Sequence, residues 1–354
     1  MLIAGGGTGG HVIPGLAIAR ELRDAHGAEV RFVGTARGLE TRLVPEAGFP
    51  LELIRVGQLK NVSLMTKART LADLPLGILR CVGLVRAFRP DVVVGVGGYA
   101  SGPAMMAAVL LRVPTLAYEP NAVPGLSNRL VGKHVSAAAV NFAETAHYFR
   151  NAVVTGVPVR EAIFAVPDRA SGAEPRLLIT AGSNGAKIFN ETMPLIAGPL
   201  LERVPELTIM HQTGERALAA TSGAYAQAGV DMGRVSVQAF LNDMAEQYAA
   251  TDLVLARAGS TVAELAAAGK PSLLVPLPTA ADDHQRKNAE LVVQGRAAEM
   301  LLQAELTPEI LLERLVGLLT DRERLHRMSL AARAMGKPGA LRTIGEMVSR
   351  LGRS

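Results

Sequence analysis

The chain has 354 residues, 49% apolar and 19% charged, which is enough for two ordinary domains and excludes intrinsic disorder. A single cysteine, Cys81, excludes an intramolecular disulfide and a cysteine-clustered metal centre, and fits a reducing cytosol. The net charge of +5 is uneven: residues 1–158 carry 16 Lys and Arg against 10 Asp and Glu, the remainder 21 against 22.

Met1–Ala4 is a short apolar run that passes into "GGGTGGHVIPG" (Gly5–Gly15) and a helix-patterned segment. With no basic n-region or long h-region there, no signal peptide is expected. No window approaches 18 uncharged apolar residues, so no membrane span is expected. β-Branched runs follow at Glu29–Val33, Leu51–Val56, Asp91–Val96, Pro114–Tyr118, Ala137–Val140 and Val153–Thr155, with helical patterning between them. That alternation predicts βαβ units and a parallel sheet. Thr155–Pro175, rich in Pro, Gly and Ala without a clear period, reads as a domain linker. The pattern then restarts with "RLLITAGSNGAKIFN", again strand, glycine loop and helix. Further strands are expected at Leu207–Gln212, Val235–Gln238, Leu253–Ala256 and Ser272–Val275. The predicted fold is α/β: two Rossmann-like doubly wound domains, 1–158 and 159–337, facing a cleft. A last helix within 338–354 is expected to pack back on the first domain.

The basic excess concentrates between Arg55 and Arg89, where Arg55, Lys60, Lys67, Arg69, Arg80, Arg86 and Arg89 face one acid, Asp73. Such a bias suits nucleic acid, phospholipid or a phosphorylated substrate. With 4% aromatics and no Trp, stacking platforms are scarce, and nucleic acid is not an expected partner. Leu71–Phe88 mixes Leu74, Leu76, Ile78, Leu79, Val82 and Leu84 with Arg80 and Arg86. It reads either as a core helix with a solvated basic side or as a patch resting on anionic lipid.

Glycine loops let backbone N–H groups approach an anion, and the helix that follows adds its dipole. Gly5–Gly10 and Gly182–Gly185 both suit a diphosphate; the plain alternative is a tight strand-to-helix turn. Gly5, Gly7 and Gly10 match G-x-G-x-x-G, but the second strand ends "RFVGT" with no acid before Glu40. A nicotinamide site lacks its ribose carboxylate, and a P-loop lacks its Lys-Ser/Thr. His11 reads as a packed helix-start histidine or, better, as a general base. Thr261-Val-Ala-Glu264 makes a good capping box, with Glu264 bonding back to the Thr261 backbone; the functional alternative is a carboxylate gripping a ribose diol. Ser260 and Thr261 suit phosphate. Glu119 and Asn121 follow a strand, and turn or cap chemistry is the alternative for Asn121 and Asn128. Asp282, Asp283 and His284 are adjacent and cannot all point at one ion, and no Asp-x-Asp occurs, so neither metal nor cofactor is expected.

Six segments in order, "GGGTGGHVIPGLAIA", "GGYASGP", "YEPNAVPGLSN", "AGSNGAKIFN", "HQTGE" and "RAGSTVAELAAAGKPSLLVPLP" with "DHQRKNA", span most of the chain. Together they resemble the bacterial peptidoglycan N-acetylglucosaminyltransferases that convert lipid I to lipid II. Each segment alone is weak; six in order are specific. The resemblance implies the two-domain GT-B fold, with an N-terminal acceptor half and a C-terminal donor half. It implies UDP-N-acetylglucosamine as donor and lipid I as acceptor. On the donor side it implies that Arg160 and Phe240-Leu241 border the uracil and that Glu264 takes the ribose hydroxyls. Ser183, with the helix it starts, and Ser260-Thr261 would serve the diphosphate, Asn184 would also contact substrate, and Gln285 and Asn288 would meet the sugar. On the acceptor side it implies Thr8, Gly9, Gly10, His11, Glu119 and Asn121, with His11 or Glu119 as the base. The chain departs from the family at Asn184, often Gln, and at "AGS", usually "GGS". The implied location is peripheral, on the cytoplasmic face of the bacterial inner membrane. A related enzyme with another lipid acceptor, or a UDP-sugar epimerase, is the alternative.

Overall fold

A computed structural model describes residues 1–54, 64–169 and 172–353, and over 64–74 the backbone alone. The chain divides into two compact units, Met1–Pro158 with Gly339–Ser354, and Val159–Pro338.

In the first unit, β1 (Leu2–Gly5) leads through a three-residue loop to α1 (Gly9–His26), then β2 (Arg31–Thr35) and α2 (Glu40–Glu46). Next come β3 (Leu51–Ile54), α3 (Leu64–Phe88), β4 (Val93–Gly97), α4 (Ser101–Leu110), β5 (Thr115–Glu119) and α5 (Leu126–Val131). β6 (Ala137–Val140) and β7 (Ala152–Val154) complete a seven-stranded parallel sheet ordered β3-β2-β1-β4-β5-β6-β7. Helices cover both faces of such a sheet, so central strands are buried throughout: β4 is an unbroken apolar run, and every residue of β5 is buried too, Thr115 and Glu119 included. α1 stops at Gly27, whose φ of 64° makes a left-handed cap, with Arg23 and His26 on the negative end of the dipole. The last helix, α14 (Ala340–Gly352), packs on α1, and Ile344 and Val348 share one core with Ile18 and Leu22. Burying two such side chains contributes roughly 1.5–3 kcal/mol each.

The second unit opens with α6 (Glu161–Phe164), β8 (Arg176–Thr180) and α7 (Lys187–Arg203). It continues through β9 (Thr208–Gln212), α8 (Leu218–Gln227), β10 (Val235–Gln238), α9 (Met244–Ala249), β11 (Leu253–Ala256) and α10 (Thr261–Ala268). β12 (Ser272–Leu274), α11 (His284–Gln294), β13 (Ala298–Met300), α12 (Pro308–Thr320) and α13 (Arg322–Met335) close it. Its six parallel strands run β10-β9-β8-β11-β12-β13. Strand order reverses at β1/β4 in one sheet and at β8/β11 in the other. The loops leaving those strands diverge there and open a crevice, the usual ligand position.

Several sequence expectations shift. β2 lies at 31–35, two residues later than the β-branched run, because pairing starts with Leu2 opposite Arg31. β13 escaped notice because it is a three-residue edge strand containing Glu299. Arg55 and Val56, the end of the third expected strand, lie outside the described residues. The expected linker is largely folded into the second unit. Ile163 and Val166 are buried, Arg333 donates to the Val166 carbonyl and to Asp168, and Arg169 donates to the buried carboxylate of Asp252. Ala170 and Ser171 lie outside the described residues.

Candidate active site

The first glycine loop is closed onto its own unit. Gly6 N–H donates to the Gly97 carbonyl, and Leu39 N–H to the Gly7 carbonyl. Gly7 N–H donates to Glu40 Oε2 at 2.6 Å. Glu40 is 1% exposed, and its other oxygen accepts from Thr35 N and Oγ1, both at 2.9 Å. Three glycines make room for this carboxylate: a Cβ on Gly6, Gly34 or Gly38 would collide with it. The first N–H groups of the loop are therefore spoken for, and a negative charge lies beneath them. What remains for an anion is the helix start, where Thr8 caps α1 without a side-chain hydrogen bond and Gly9 and Gly10 form the first turn.

His11 sits one residue further on. Its Nδ1 lies 3.1 Å from the Gly6 carbonyl and 3.4 Å from Thr8 Oγ1. A carbonyl only accepts, so Nδ1 carries the proton and the basic lone pair belongs to Nε2. The Cδ2–Nε2 edge rests over Gly97, where a Cβ would come within 2.8 Å of Cδ2.

Glu119, at the end of β5, is 3% exposed. Oε1 accepts from Asn121 N and Nδ2, both at 3.0 Å; Oε2 accepts from Gly125 N at 3.1 Å and Asn128 Nδ2 at 3.0 Å. Burial pushes its pKa up, and the four donors push the other way. A carboxylate so enclosed organises the 120–128 turn. Asn128 is itself buried and also donates to the Tyr118 carbonyl at 2.9 Å, so it belongs to the same scaffold.

The second unit holds its glycine loop with neutral groups. Gly185 packs against the Thr213 carbonyl so closely that a Cβ would collide with it, and Asn190 Nδ2 donates to that same carbonyl at 3.1 Å. Ser183 and Asn184 are exposed. Ser183 does not start a helix as expected: α7 begins at Lys187 with Ala186 as its cap, because the loop must first cross Thr213-Gly214.

At α10 the capping box fails. Ser260 is the N-cap and Thr261 the first helical residue, and no side chain caps the end. Glu264 instead accepts a hydrogen bond from Tyr248 Oη at 3.1 Å. Tyr248 comes from α9 and is fully buried. Burial pushes the Glu264 pKa up, while the Tyr248 hydrogen bond and the nearby Arg160 charge push it down. The fold thus brings Arg160, Tyr248 and Glu264 together. Asn288 is buried and donates to the Ala258 carbonyl at 3.0 Å. Gln285 Oε1 accepts from Leu277 N at 3.0 Å, and its Nε2 end lies beside Gly259. Asn288 supports the loop before α10, and Gln285 holds the segment after β12 beside it. Phe240 is 54% exposed, whereas Leu241 is 3% exposed and belongs to the core. Only Phe240 of that pair presents a ring to solvent.

Glu40 and Tyr248 escaped the sequence reading. The signal for Glu40 is Gly34 near the end of β2 with Gly38 and Glu40 just after it, a position too late for a ribose carboxylate. Tyr248 carried no local signal, since its partner lies 16 residues away across a strand.

Both halves match one family. The description "Glycosyltransferase family 28 N-terminal domain" covers residues 1–140, and "Glycosyltransferase family 28 C-terminal domain" covers residues 176–344. The chain belongs to glycosyltransferase family 28, and its fold is GT-B. Within that family it is similar to the UDP-N-acetylglucosamine--N-acetylmuramyl-(pentapeptide) pyrophosphoryl-undecaprenol N-acetylglucosamine transferases. That of Solibacter usitatus is 44% identical over 99% of this chain and 96% of its own length. That of Anaeromyxobacter dehalogenans is 45% identical over 99% and 92%. The crystal structure of MurG from Acinetobacter baumannii aligns over 99% of this chain and 98% of its own, with a TM-score of 0.80 and 32% identity. A UDP-GlcNAc 2-epimerase from Neisseria meningitidis, with TM-score 0.67 over 99% of each chain, shares the fold alone at 14% identity.

Proposed function

We propose that this chain transfers N-acetylglucosamine from UDP-N-acetylglucosamine to the 4-hydroxyl of the muramoyl-pentapeptide of lipid I, forming lipid II in peptidoglycan synthesis. The observation that carries this reading is the near-full-length similarity to transferases of that name. The second unit takes the donor: Phe240 and Arg160 border the uracil, and Glu264, oriented by Tyr248, accepts from the ribose hydroxyls. Ser183, Asn184, Ser260 and Thr261 serve the diphosphate. Gln285 and Asn288 hold the loop that meets the sugar. The first unit takes the acceptor at Thr8, Gly9, Gly10 and Asn121.

His11 is the base and Glu119 the scaffold of the neighbouring turn. Nε2 removes the proton from the 4-hydroxyl as that oxygen attacks the anomeric carbon. The new C–O bond forms on the face opposite the breaking bond to UDP, so the configuration inverts. Negative charge developing on UDP is met by the uncapped start of α10 and its hydroxyls. A radiolabelled transfer assay with a lipid I analogue, run with and without chelator, tests the reading. The outcome expected is label in lipid and release of UDP that depends on the acceptor. Epimerised UDP-sugar without transfer overturns it.

The lipid-linked acceptor also suggests where the protein works. Among the described residues, no helix is long and apolar enough to cross a membrane. On α3, Leu76 and Leu79 are 66% and 64% exposed, and Arg80 and Arg86 are exposed on the same face. This face rests on the anionic cytoplasmic surface of the inner membrane, with the protein bound peripherally. Arg55 and Lys60 of the basic stretch, and the side chains of Lys67, Arg69, Asp73 and Leu74, lie outside the described residues. Reversing charge at Arg80 and Arg86 is expected to cost about 1 kcal/mol of vesicle affinity per charge. Flotation with phosphatidylglycerol vesicles measures it, and binding indifferent to both changes counts against the surface.

A further inference from the structure

The peptide group between Gly6 and Gly7 is bonded on both edges. Its N–H, on Gly7, donates to Glu40 Oε2 at 2.6 Å. Its carbonyl, on Gly6, accepts from His11 Nδ1 at 3.1 Å. A trans peptide sets these two groups on opposite edges of one plane, and no cis peptide occurs among the described residues. The three groups therefore form a line: carboxylate, peptide, imidazole.

Each link has a physical consequence. A carboxylate accepting from the N–H polarises the peptide and makes its carbonyl a stronger acceptor. The stronger acceptor holds the proton on Nδ1 and the lone pair on Nε2. Thr8 Oγ1, at 3.4 Å from the same nitrogen, is too distant to compete. The carboxylate is itself held: Thr35 binds its other oxygen twice, and the Glu40 side chain fills space that a Cβ on Gly6, Gly34 or Gly38 would take. In a serine-protease triad the carboxylate bonds the histidine directly; here one peptide group stands between them.

We propose that Glu40 is a positioning residue for His11, acting through the Gly6–Gly7 peptide to set the imidazole's tautomer and orientation. The proposal rests on the reading of His11 as the base. It explains why a loop in an acceptor site keeps a buried carboxylate beneath it, where a phosphate alone would favour a cation.

The test uses the full chain, a lipid I analogue and UDP-N-acetylglucosamine. Glu40→Gln keeps the shape, but an amide cannot accept on both sides, so Gly7 or Thr35 loses its acceptor. The expected loss in kcat is about 10–100-fold, the size typical for an outer hydrogen-bond partner of a metal-bound histidine and smaller than for a directly bonded triad carboxylate. The donor KM is expected to stay within about twofold. In a His11→Ala background, adding Glu40→Gln is expected to leave the residual rate unchanged, because the relay has nothing left to orient. An equal loss in that background, or an undiminished kcat in the native one, overturns the proposal. If Glu40→Gln fails to fold, Gly38→Ala takes its place, since its Cβ collides first with Oε2, the oxygen facing Gly7. His11→Ala alone separates the two claims: near-normal turnover overturns the base reading and the relay with it, whereas lost turnover with an inert Glu40→Gln overturns only the relay.

Discussion

Each unit carries a glycine loop after the strand where its sheet reverses order, yet the two loops are anchored by different chemistry. In the first, Glu40 holds Gly7 N–H with a charged oxygen and the loop folds its own N–H groups inward. In the second, Gly185 N–H donates to the Gly182 carbonyl within the loop, Gly185 packs on Thr213, whose carbonyl accepts from Asn190, and Ser183 and Asn184 stay exposed. A loop that keeps a carboxylate beneath it is poorly suited to binding phosphate through its glycines, but well suited to presenting a base. A loop anchored by neutral groups leaves its field open to a leaving diphosphate. The likeness of the two sequences thus conceals different anchoring, and under the proposed function this becomes a division of labour, proton transfer on one side and charge stabilisation on the other.

The largest test of that division is His11→Ala. Losing a general base is expected to reduce kcat by about 10²–10⁴-fold. UDP affinity, measured by calorimetric titration, is expected to stay within about twofold. A matching fall in UDP affinity would merge the two roles.

Thr261→Ala probes the other side. Removing a hydrogen bond to a charged group costs about 1.5–3 kcal/mol, so UDP affinity is expected to fall roughly 10–100-fold. If kcat with saturating donor falls instead and UDP binding is untouched, the diphosphate does not sit there.

Stability should also distinguish the loops. Gly185 has φ 65° and no room for a Cβ against the Thr213 carbonyl; Gly7 has φ 90° and open space. Alanine at Gly7 is expected to cost about 1–2 kcal/mol from backbone conformation alone. At Gly185 the collision adds roughly 1–3 kcal/mol more. Urea titration of both variants measures the gap, and equal costs would mean the close approach contributes nothing.

A smaller, graded effect concerns the second unit. His211 is fully buried beside Tyr225 Oη at 2.9 Å, and burial pushes its pKa down to about 3 from 6.5. The unfolded chain therefore takes up a proton that the folded chain refuses. Stability contributed here is complete above about pH 6.5 and declines as pH falls towards 3, by up to about 1.4 kcal/mol per pH unit. His211→Gln is expected to flatten that slope in melts between pH 7 and 4; an unchanged slope would assign it to other groups.

Much of this was legible in the residues. β1 and β8 followed by glycines, the β-branched runs and the six family segments pointed to two doubly wound halves. What the sequence hid were partnerships between elements. The Thr261–Glu264 spacing satisfied a capping box, but Tyr248, buried under the same helix, offered Glu264 a hydroxyl. Glu119 looked reactive because it follows a strand, and only the fold shows four donors filling its oxygens. Glu40 stands too far along the chain for a ribose carboxylate, yet folding returns it to the first loop. Distances along the sequence carry the local propensities and little of the tertiary hydrogen bonding.

The seating of α14 on α1 bears on how the protein is made. The first unit comprises Met1–Pro158 and Gly339–Ser354, so its final helix leaves the ribosome after the whole of the second unit. Domains fold as units during synthesis, ordinarily in order from the N-terminus. Here the later unit has all its residues first, while the earlier one waits with the apolar groove of Ile18 and Leu22 uncovered until Ile344 and Val348 arrive.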